Sequence, residues 1–300
     1  MAPHVMPVSL QNEVALVTGA GRGIGRAIAE AYGAAGASVV LMSRSIDQVD
    51  DATRAITSAG GRAVAAAGDV TVASDVARAV ATAEQNFGPV SVLVSNAGIT
   101  GPYAPIWDAD PDEWWRCQDV HVHGAFLCTR AVWAGMVNRG GGRIVVISSR
   151  AAERGGANLS GYQIAKAGQL RFVEALAAEG ADAGIKAFVV HPGNVDTAFA
   201  DAPLQRADAQ KYLPGFVARI RAMKADPSLG TPVSKVADLC VWLASGSGDA
   251  LSGRYFRVED SWEDMARCAD VIQRDDLYTL RMRTLQEPGG PPAPAIPPDH

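Results

Sequence analysis

Residues 14–29 read VALVTGAGRGIGRAIA. Val14–Val17 is an apolar, β-branched run of the kind that forms a buried strand, and it leads into Thr18, Gly19, Gly23 and Gly25. From Gly25 to Ala35 the pattern becomes that of an amphipathic helix. Glycines permit a tight turn and let backbone approach a ligand closely, and the N-terminus of the following helix carries partial positive charge. A strand, a glycine turn and a helix in that order make a seat for a pyrophosphate. The spacing here is Gly-x-x-x-Gly-x-Gly rather than the Gly-x-Gly-x-x-Gly of other dinucleotide-binding turns, but the physics is shared.

The same strand-then-helix rhythm continues outward from this turn. Further apolar runs lie at Val39–Met42, Ala63–Ala67, Val90–Val94, Arg143–Ile147, Lys186–Val190 and Tyr255–Val258. Helical patterns fall between most of them, at Asp47–Ala59, Val72–Phe87, Asp112–Asn138, Ser160–Asp182 and Ser234–Ala244. Nearly continuous apolar strands alternating with helices predict a parallel sheet covered on both faces. The fold class is α/β: a doubly wound, Rossmann-type sheet of seven parallel strands in a single domain. Residues 1–11 read as an N-terminal arm and 12–260 as the domain. Residues 198–230, with Pro203, Pro214 and Pro227, form an insertion at the carboxyl ends of the strands, where a substrate lid belongs. Residues 261–287 read as a helical extension, with a helical pattern from Trp262 to Leu285 that either covers the pocket or packs on a neighbouring subunit. Residues 288–300 read as a Pro-rich, disordered tail.

Composition excludes several function classes. The net charge of −5 offers no basic footprint for nucleic acid or an anionic membrane. Cys117, Cys128, Cys240 and Cys268 are scattered, with neither metal-ligand nor redox spacing, so they read as reduced thiols and no metal site is expected. No basic n-region or long apolar run opens the chain, so neither a signal peptide nor a membrane span is expected, and the location expected is cytoplasmic.

In GYQIAKAGQL, residues 161–170, Tyr162 and Lys166 stand four apart. On a helix that spacing stacks phenol and ammonium on one face. A nearby ammonium favours the charged form of an acid, so Lys166 is expected to lower the pKa of Tyr162 toward neutrality and fit it for proton transfer. Upstream, the strand-like GGRIVVISS ends at Ser149.

The glycine turn, Ser149 and the Tyr162/Lys166 pair together resemble the short-chain dehydrogenase/reductase family, from about Asn12 to Val258. The resemblance implies that Ser149, Tyr162 and Lys166 are catalytic. Tyr162 would exchange a proton with the substrate oxygen, Ser149 would hold that oxygen, and Lys166 would bond the nicotinamide ribose. It further implies a nucleotide site built from Thr18, Gly19, Arg22, Gly23, Ile24 and Gly25. Asp69 and Val70 would meet the adenine, and Asn96, Ala97 and Gly98 would shape the cleft floor. Pro192, Gly193, Val195 and Thr197 would hold the carboxamide. The family's usual asparagine is replaced by His121 in DVHVHGAF. Histidine can also donate and accept, so His121 either takes over that residue's water-holding place or bonds local backbone.

At the end of the second strand the chain reads VVLMSRS. Ser43 and Arg44 stand where a carboxylate would repel a 2′-phosphate, and Arg44 offers a forked guanidinium to bind one, so NADP is favoured over NAD. Tyr103, Trp107, Arg150 to Arg154, Asn158, Phe199, Leu204 and Phe216 are expected to line a pocket for a medium-sized, partly apolar carbonyl or alcohol, with Arg150 read as a surface arginine. The function expected is an NADP-dependent carbonyl reductase or alcohol dehydrogenase. A lyase, isomerase or cyclase on the same scaffold and a non-catalytic nucleotide sensor are the alternatives. Family members commonly associate through the helices corresponding to Asp112–Asn138 and Ser160–Asp182, so a homodimer or homotetramer is expected.

Overall fold

The computed structural model of the chain describes residues 8–282. Its first half alternates β1 (Val14–Thr18), α1 (Gly23–Ala34), β2 (Ser38–Ser43), α2 (Ile46–Ser58), β3 (Arg62–Ala67), α3 (Ala73–Asn86) and β4 (Val92–Ser95). Then follow α4 (Pro111–Gln118), α5 (Gly124–Asn138), β5 (Gly142–Ile147), α6 (Ser160–Glu179) and β6 (Ile185–His191). The insertion holds α7 (Ala198–Gln205), α8 (Ala207–Tyr212) and α9 (Pro214–Ala225). The chain continues through α10 (Val233–Ala244), β7 (Tyr255–Arg257), α11 (Trp262–Arg267) and α12 (Ala269–Arg274). The strands form one seven-stranded sheet in the order β3-β2-β1-β4-β5-β6-β7, every neighbouring pair parallel.

Successive residues of a strand face opposite sides of the sheet, which gives this sheet two cores. Ala15 and Val17 of β1, with Val92 and Val94 of β4, pack toward Ile28 and Tyr32 of α1, Ala52 of α2 and Leu239 of α10. Val14, Leu16 and Leu93 pack on the other side with Val76 of α3, Val132 of α5 and Val173 of α6. The Tyr32 hydroxyl donates to the Cys240 carbonyl at 3.0 Å and ties α1 to α10.

Three regions depart from the sequence pattern. The helix expected over Asp112–Asn138 is interrupted: a π-helical turn, Asp119–His123, joins α4 to α5. The described end of the N-terminal arm, residues 8–11, joins the core, for Leu10 is buried and its amide donates to Ala35 O at 2.8 Å. The C-terminal extension is not one helix to Leu285. Helix ends after Arg274, because Asp276 and Tyr278 take left-handed backbone (φ 50 and 58). The chain then turns back, and the Tyr255 amide donates to Tyr278 O at 3.0 Å, covering the outer edge of β7. Buried Arg254 fastens this strap by pairing with Asp276 at 2.6 Å and bonding Gln273. The Pro-rich tail and Leu285 lie outside the described residues.

Candidate active site

The carboxyl ends of β1, β2, β4, β5 and β6 border a cleft of ≈1010 Å³. Its floor lies between β1 and β4, where the sheet changes winding direction and a crevice opens. At one end is the glycine turn. Gly19 sits at φ +62, and a Cβ there would lie 2.9 Å from Asn96 Nδ2. A Cβ on Gly25 would lie 2.4 Å from the Gly19 carbonyl oxygen, so only glycine lets α1 begin this close to β1. No side chain caps α1 and its first turn holds no acidic residue, which leaves its amides and partial positive charge facing the cleft. Arg22 and Arg44 line this end with exposed guanidiniums. Burial alone would raise the Asp69 carboxyl. Bonds from the Thr71 amide (2.9 Å) and hydroxyl (2.8 Å), with the charges of Arg116 and Arg44, hold it below the usual carboxylate range.

The far wall carries Ser149, Tyr162 and Lys166. Ser149 follows β5, and its hydroxyl accepts from the Ala151 amide at 3.2 Å. Tyr162 and Lys166 project from α6, with the ammonium 5.5 Å from the phenol ring centroid. All three side chains border the cleft. Lys166 is buried, and its Nζ donates to Ile147 O at 2.9 Å and to Gln169 Oε1 at 3.2 Å. Burial pushes this ammonium down to about 7.

The expectation that Lys166 lowers Tyr162 is not met. Burial raises the phenol well above its ordinary value, and the Ser149 hydroxyl only partly opposes it. The reason is geometric: the ammonium is turned toward Ile147 and Gln169.

His121 lies in the π turn, 1% exposed, its ring edge-on to Tyr162 at 5.5 Å between centroids. Its Nε2 sits 2.7 Å from Ile99 O and 3.2 Å from Ile99 N, so the ring bonds local backbone. Burial, reinforced by the Lys166 charge, holds it well below its ordinary pKa against the bond to Ile99, so the imidazole is neutral. Gly98 makes room for it: a Cβ there would lie 2.5 Å from His121 Cε1.

Most of the residues singled out in the sequence meet at this cleft, among them Ile24, Ser43, Val70, Ala97, Pro192, Gly193, Val195 and Thr197. Two nucleotide-site candidates do not reach it. Gly25 lies behind the turn, and Thr18 is fully buried behind the wall. The Thr18 hydroxyl accepts from the Asn96 amide (3.0 Å) and the Ala97 amide (3.1 Å), and it donates to Val94 O at 3.2 Å. Thr18 thus pins the end of β1 to the end of β4.

On the substrate side, Tyr103, Arg150, Arg154, Phe199 and Phe216 line the cleft. Trp107 does not; it is 86% exposed to solvent. Leu204 packs beside Tyr103 instead, and Asn158 donates to Tyr212 O at 2.9 Å. Arg150 pairs with Glu259 at 2.6 Å, as a surface arginine does. Among the described residues the C-terminal extension contributes nothing to the cleft. Sequence reasoning missed His191, whose Nδ1 accepts from the Arg150 amide at 3.1 Å and holds the segment after Ser149. It missed Gln169 as well, although its place one turn beyond Lys166 was readable.

Comparison with known proteins gives consistent neighbours. The family model described as short chain dehydrogenase matches residues 13–207. The chain is 37% identical over 243 residues to an acetoacetyl-CoA reductase of Shinella zoogloeoides, covering 81% of this chain and 95% of that protein. A solved gluconate 5-dehydrogenase from Burkholderia cenocepacia, in complex with NADP and tartrate, superposes with a TM-score of 0.72 at 28% identity, over 84% of this chain and 95% of the other. A 7α-hydroxysteroid dehydrogenase complexed with NADH superposes with a TM-score of 0.73 at 28% identity, over 84% and 94%.

The pin at Thr18 is directly testable. Thr18→Val keeps the shape but leaves the Asn96 and Ala97 amides without their acceptor, at a cost of about 2–4 kcal/mol. Thr18→Ser should recover most of that. Urea unfolding midpoints that coincide for wild type and Thr18→Val would remove the pin from this account.

Proposed function

We propose, because the chain belongs to the short-chain dehydrogenase family, that it is an NADP-dependent carbonyl reductase or alcohol dehydrogenase with Ser149, Tyr162 and Lys166 as its catalytic groups. As a member of that family it is an oxidoreductase of alcohols and carbonyls. The observation that carries the finer reading is the convergence of these three side chains on one wall of a cleft whose other end is the glycine turn and open helix N-terminus. The cradle fits a dinucleotide, since its glycines clear the backbone and its arginines face no lining carboxylate except Asp69. A bound nicotinamide would give or take the hydride.

The protein's own part is proton handling and orientation. The Tyr162 phenol, half-buried at the cleft, keeps its proton through neutral pH and gives it to the substrate oxygen during reduction. The Ser149 hydroxyl donates to the same oxygen as negative charge develops there. Lys166, held by Ile147 and Gln169, keeps an N–H free for a ribose hydroxyl. Because the phenol's pKa is raised, the acid form prevails below it, so reduction is served at neutral pH. Oxidation needs the phenolate and therefore accelerates as the pH rises.

Arg44 and Arg22 support NADP, as guanidiniums beside the end of β2 where Ser43 leaves room for a 2′-phosphate. The two solved relatives carry NADP in one case and NADH in the other, so the choice rests on these side chains. Helices α7–α9 act as the substrate lid. They bring Phe199, Leu213 and Phe216 to the cleft and are latched by Arg206, which pairs with Glu113 of α4 and stacks 5.2 Å from the Tyr103 ring centroid. The substrate is a medium-sized, partly apolar carbonyl or alcohol. Among the described residues no helix is long and apolar enough to cross a membrane. Trp115 of α4, Phe126 and Val137 of α5 and Ile164 of α6 leave apolar surface exposed on the helices through which we expect the chain to form a homodimer or homotetramer.

Three measurements check this reading. NADPH should bind about tenfold to a hundredfold tighter than NADH, and Arg44→Asp should reverse the order; equal dissociation constants in the wild type would refute the NADP assignment. Tyr162→Phe should retain nucleotide binding while reduction, followed at the reduced-nicotinamide absorbance, falls on the order of a hundredfold or more. Turnover within a few-fold of wild type would exclude Tyr162 as the acid. Sedimentation at micromolar concentration should show a multiple of 31.3 kDa, and a purely monomeric species would contradict the association.

A further inference from the structure

We propose that Gln169 is a positioning residue for Lys166, its side-chain amide spanning from the ammonium to the His121 carbonyl and holding that ammonium charged and in place. The inference rests on the catalytic reading of Lys166 but is testable apart from it. Tyr162, Lys166 and Gln169 fall at positions i, i+4 and i+7 of α6, which puts all three on one helix face. A glutamine between buried Ala165, Leu170 and Val173 stands where an apolar side chain would ordinarily pack. It is 2% exposed, and a buried amide persists only when both ends are satisfied.

Both ends are. Gln169 Oε1 accepts from Lys166 Nζ at 3.2 Å, and Gln169 Nε2 donates to His121 O at 3.0 Å. This orientation is the one chemistry allows, since an ammonium only donates and a carbonyl only accepts. With Ile147 O at 2.9 Å as the second acceptor, two of the three ammonium donors are directed into protein and the third is left for the cleft. The bridge also joins α6 to the π turn that carries His121.

The need for such a bridge follows from the surroundings of Lys166. The charged and titratable groups facing it are the Tyr162 phenol on α6, the Cys117 thiol of α4 and the His121 imidazole of the π turn. Each is neutral near pH 7: burial raises Cys117 to about 11 and Tyr162 further, and it depresses His121. From β5 come only uncharged partners, the Ile147 carbonyl and Ser148, whose hydroxyl donates to Lys166 O at 3.1 Å. No carboxylate stands among these groups, so the Gln169 oxygen is the side-chain acceptor that offsets the burial of the charge.

The test uses protein carrying 13C at the lysine ε-carbon, free of nucleotide. The lysines of the sequence are Lys166, Lys186, Lys211, Lys224 and Lys235, and loss of a resonance in Lys166→Met assigns the buried one. Gln169→Leu removes the acceptor, so the Lys166 titration midpoint should fall by about one pH unit or more. Gln169→Glu places a carboxylate beside the ammonium, so the midpoint should rise by about one pH unit or more. The alkaline limb of turnover should move in the same two directions. A residue that only fills space would not give opposite shifts. Midpoints unchanged in both variants, or displaced the same way in both, would overturn the proposal. Should Gln169→Leu not fold, Gln169→Met carries the same expectation. Opposite shifts in a protein that turns over no carbonyl would uphold Gln169 while refuting the catalytic reading, and the converse result would do the reverse.

Discussion

In a sheet whose strands all run one way, the two strands at the change of winding must send their following helices to opposite faces, and here β1 and β4 are that pair. Helix α1 leaves β1 toward one core, while the chain after β4 passes through α4 and α5 on the other. The carboxyl ends of both strands are left with a crevice above them that no helix fills. Thr18 holds the crevice to a fixed width by bonding Asn96 and Ala97 across it, and Asn96 Nδ2 returns bonds to Thr18 O at 3.0 Å and Gly19 O at 3.3 Å. The turn that results has no space for side chains at Gly19 or Gly25. A dinucleotide seat is therefore a by-product of parallel pairing, sharpened by two glycines and one threonine.

The second constraint is the burial of Lys166. Taking an ammonium out of water costs several kcal/mol unless acceptors replace the solvent. The protein supplies a strand carbonyl and a glutamine oxygen but no carboxylate, and the ammonium consequently titrates near neutrality. The same low-dielectric surroundings raise Tyr162 and neutralise His121. This wall of the cleft is thus a set of neutral hydrogen-bonding groups around one marginal cation.

The strands, their order of appearance and the glycine turn were legible in the sequence because β-branched runs and glycines carry strong local signals. That Ser149, Tyr162 and Lys166 would share one site was legible from the family resemblance, for the strand end and the i, i+4 spacing alone carry too little. What escaped was set by tertiary contact. The π turn at Asp119–His123 looks helical in sequence and differs only in how its carbonyls pair. The direction of the Lys166 ammonium depended on a partner three residues onward that read as an ordinary helix position. Trp107 seemed a pocket residue by composition but lies in solvent. The extension after β7 carried a helical pattern, yet an uncovered strand edge and two left-handed residues decided its path.

Whether this cleft performs hydride transfer is asked most directly by isotope. Purified protein would be given NADPH carrying deuterium at both hydrogens of the transferring carbon together with a panel of medium-sized ketones and aldehydes, and products would be read by mass spectrometry. The account predicts an alcohol carrying one deuterium at the former carbonyl carbon, formed by the wild type and lost in Tyr162→Phe. A product formed without deuterium, or a nucleotide that binds and keeps its label with every carbonyl, would contradict it.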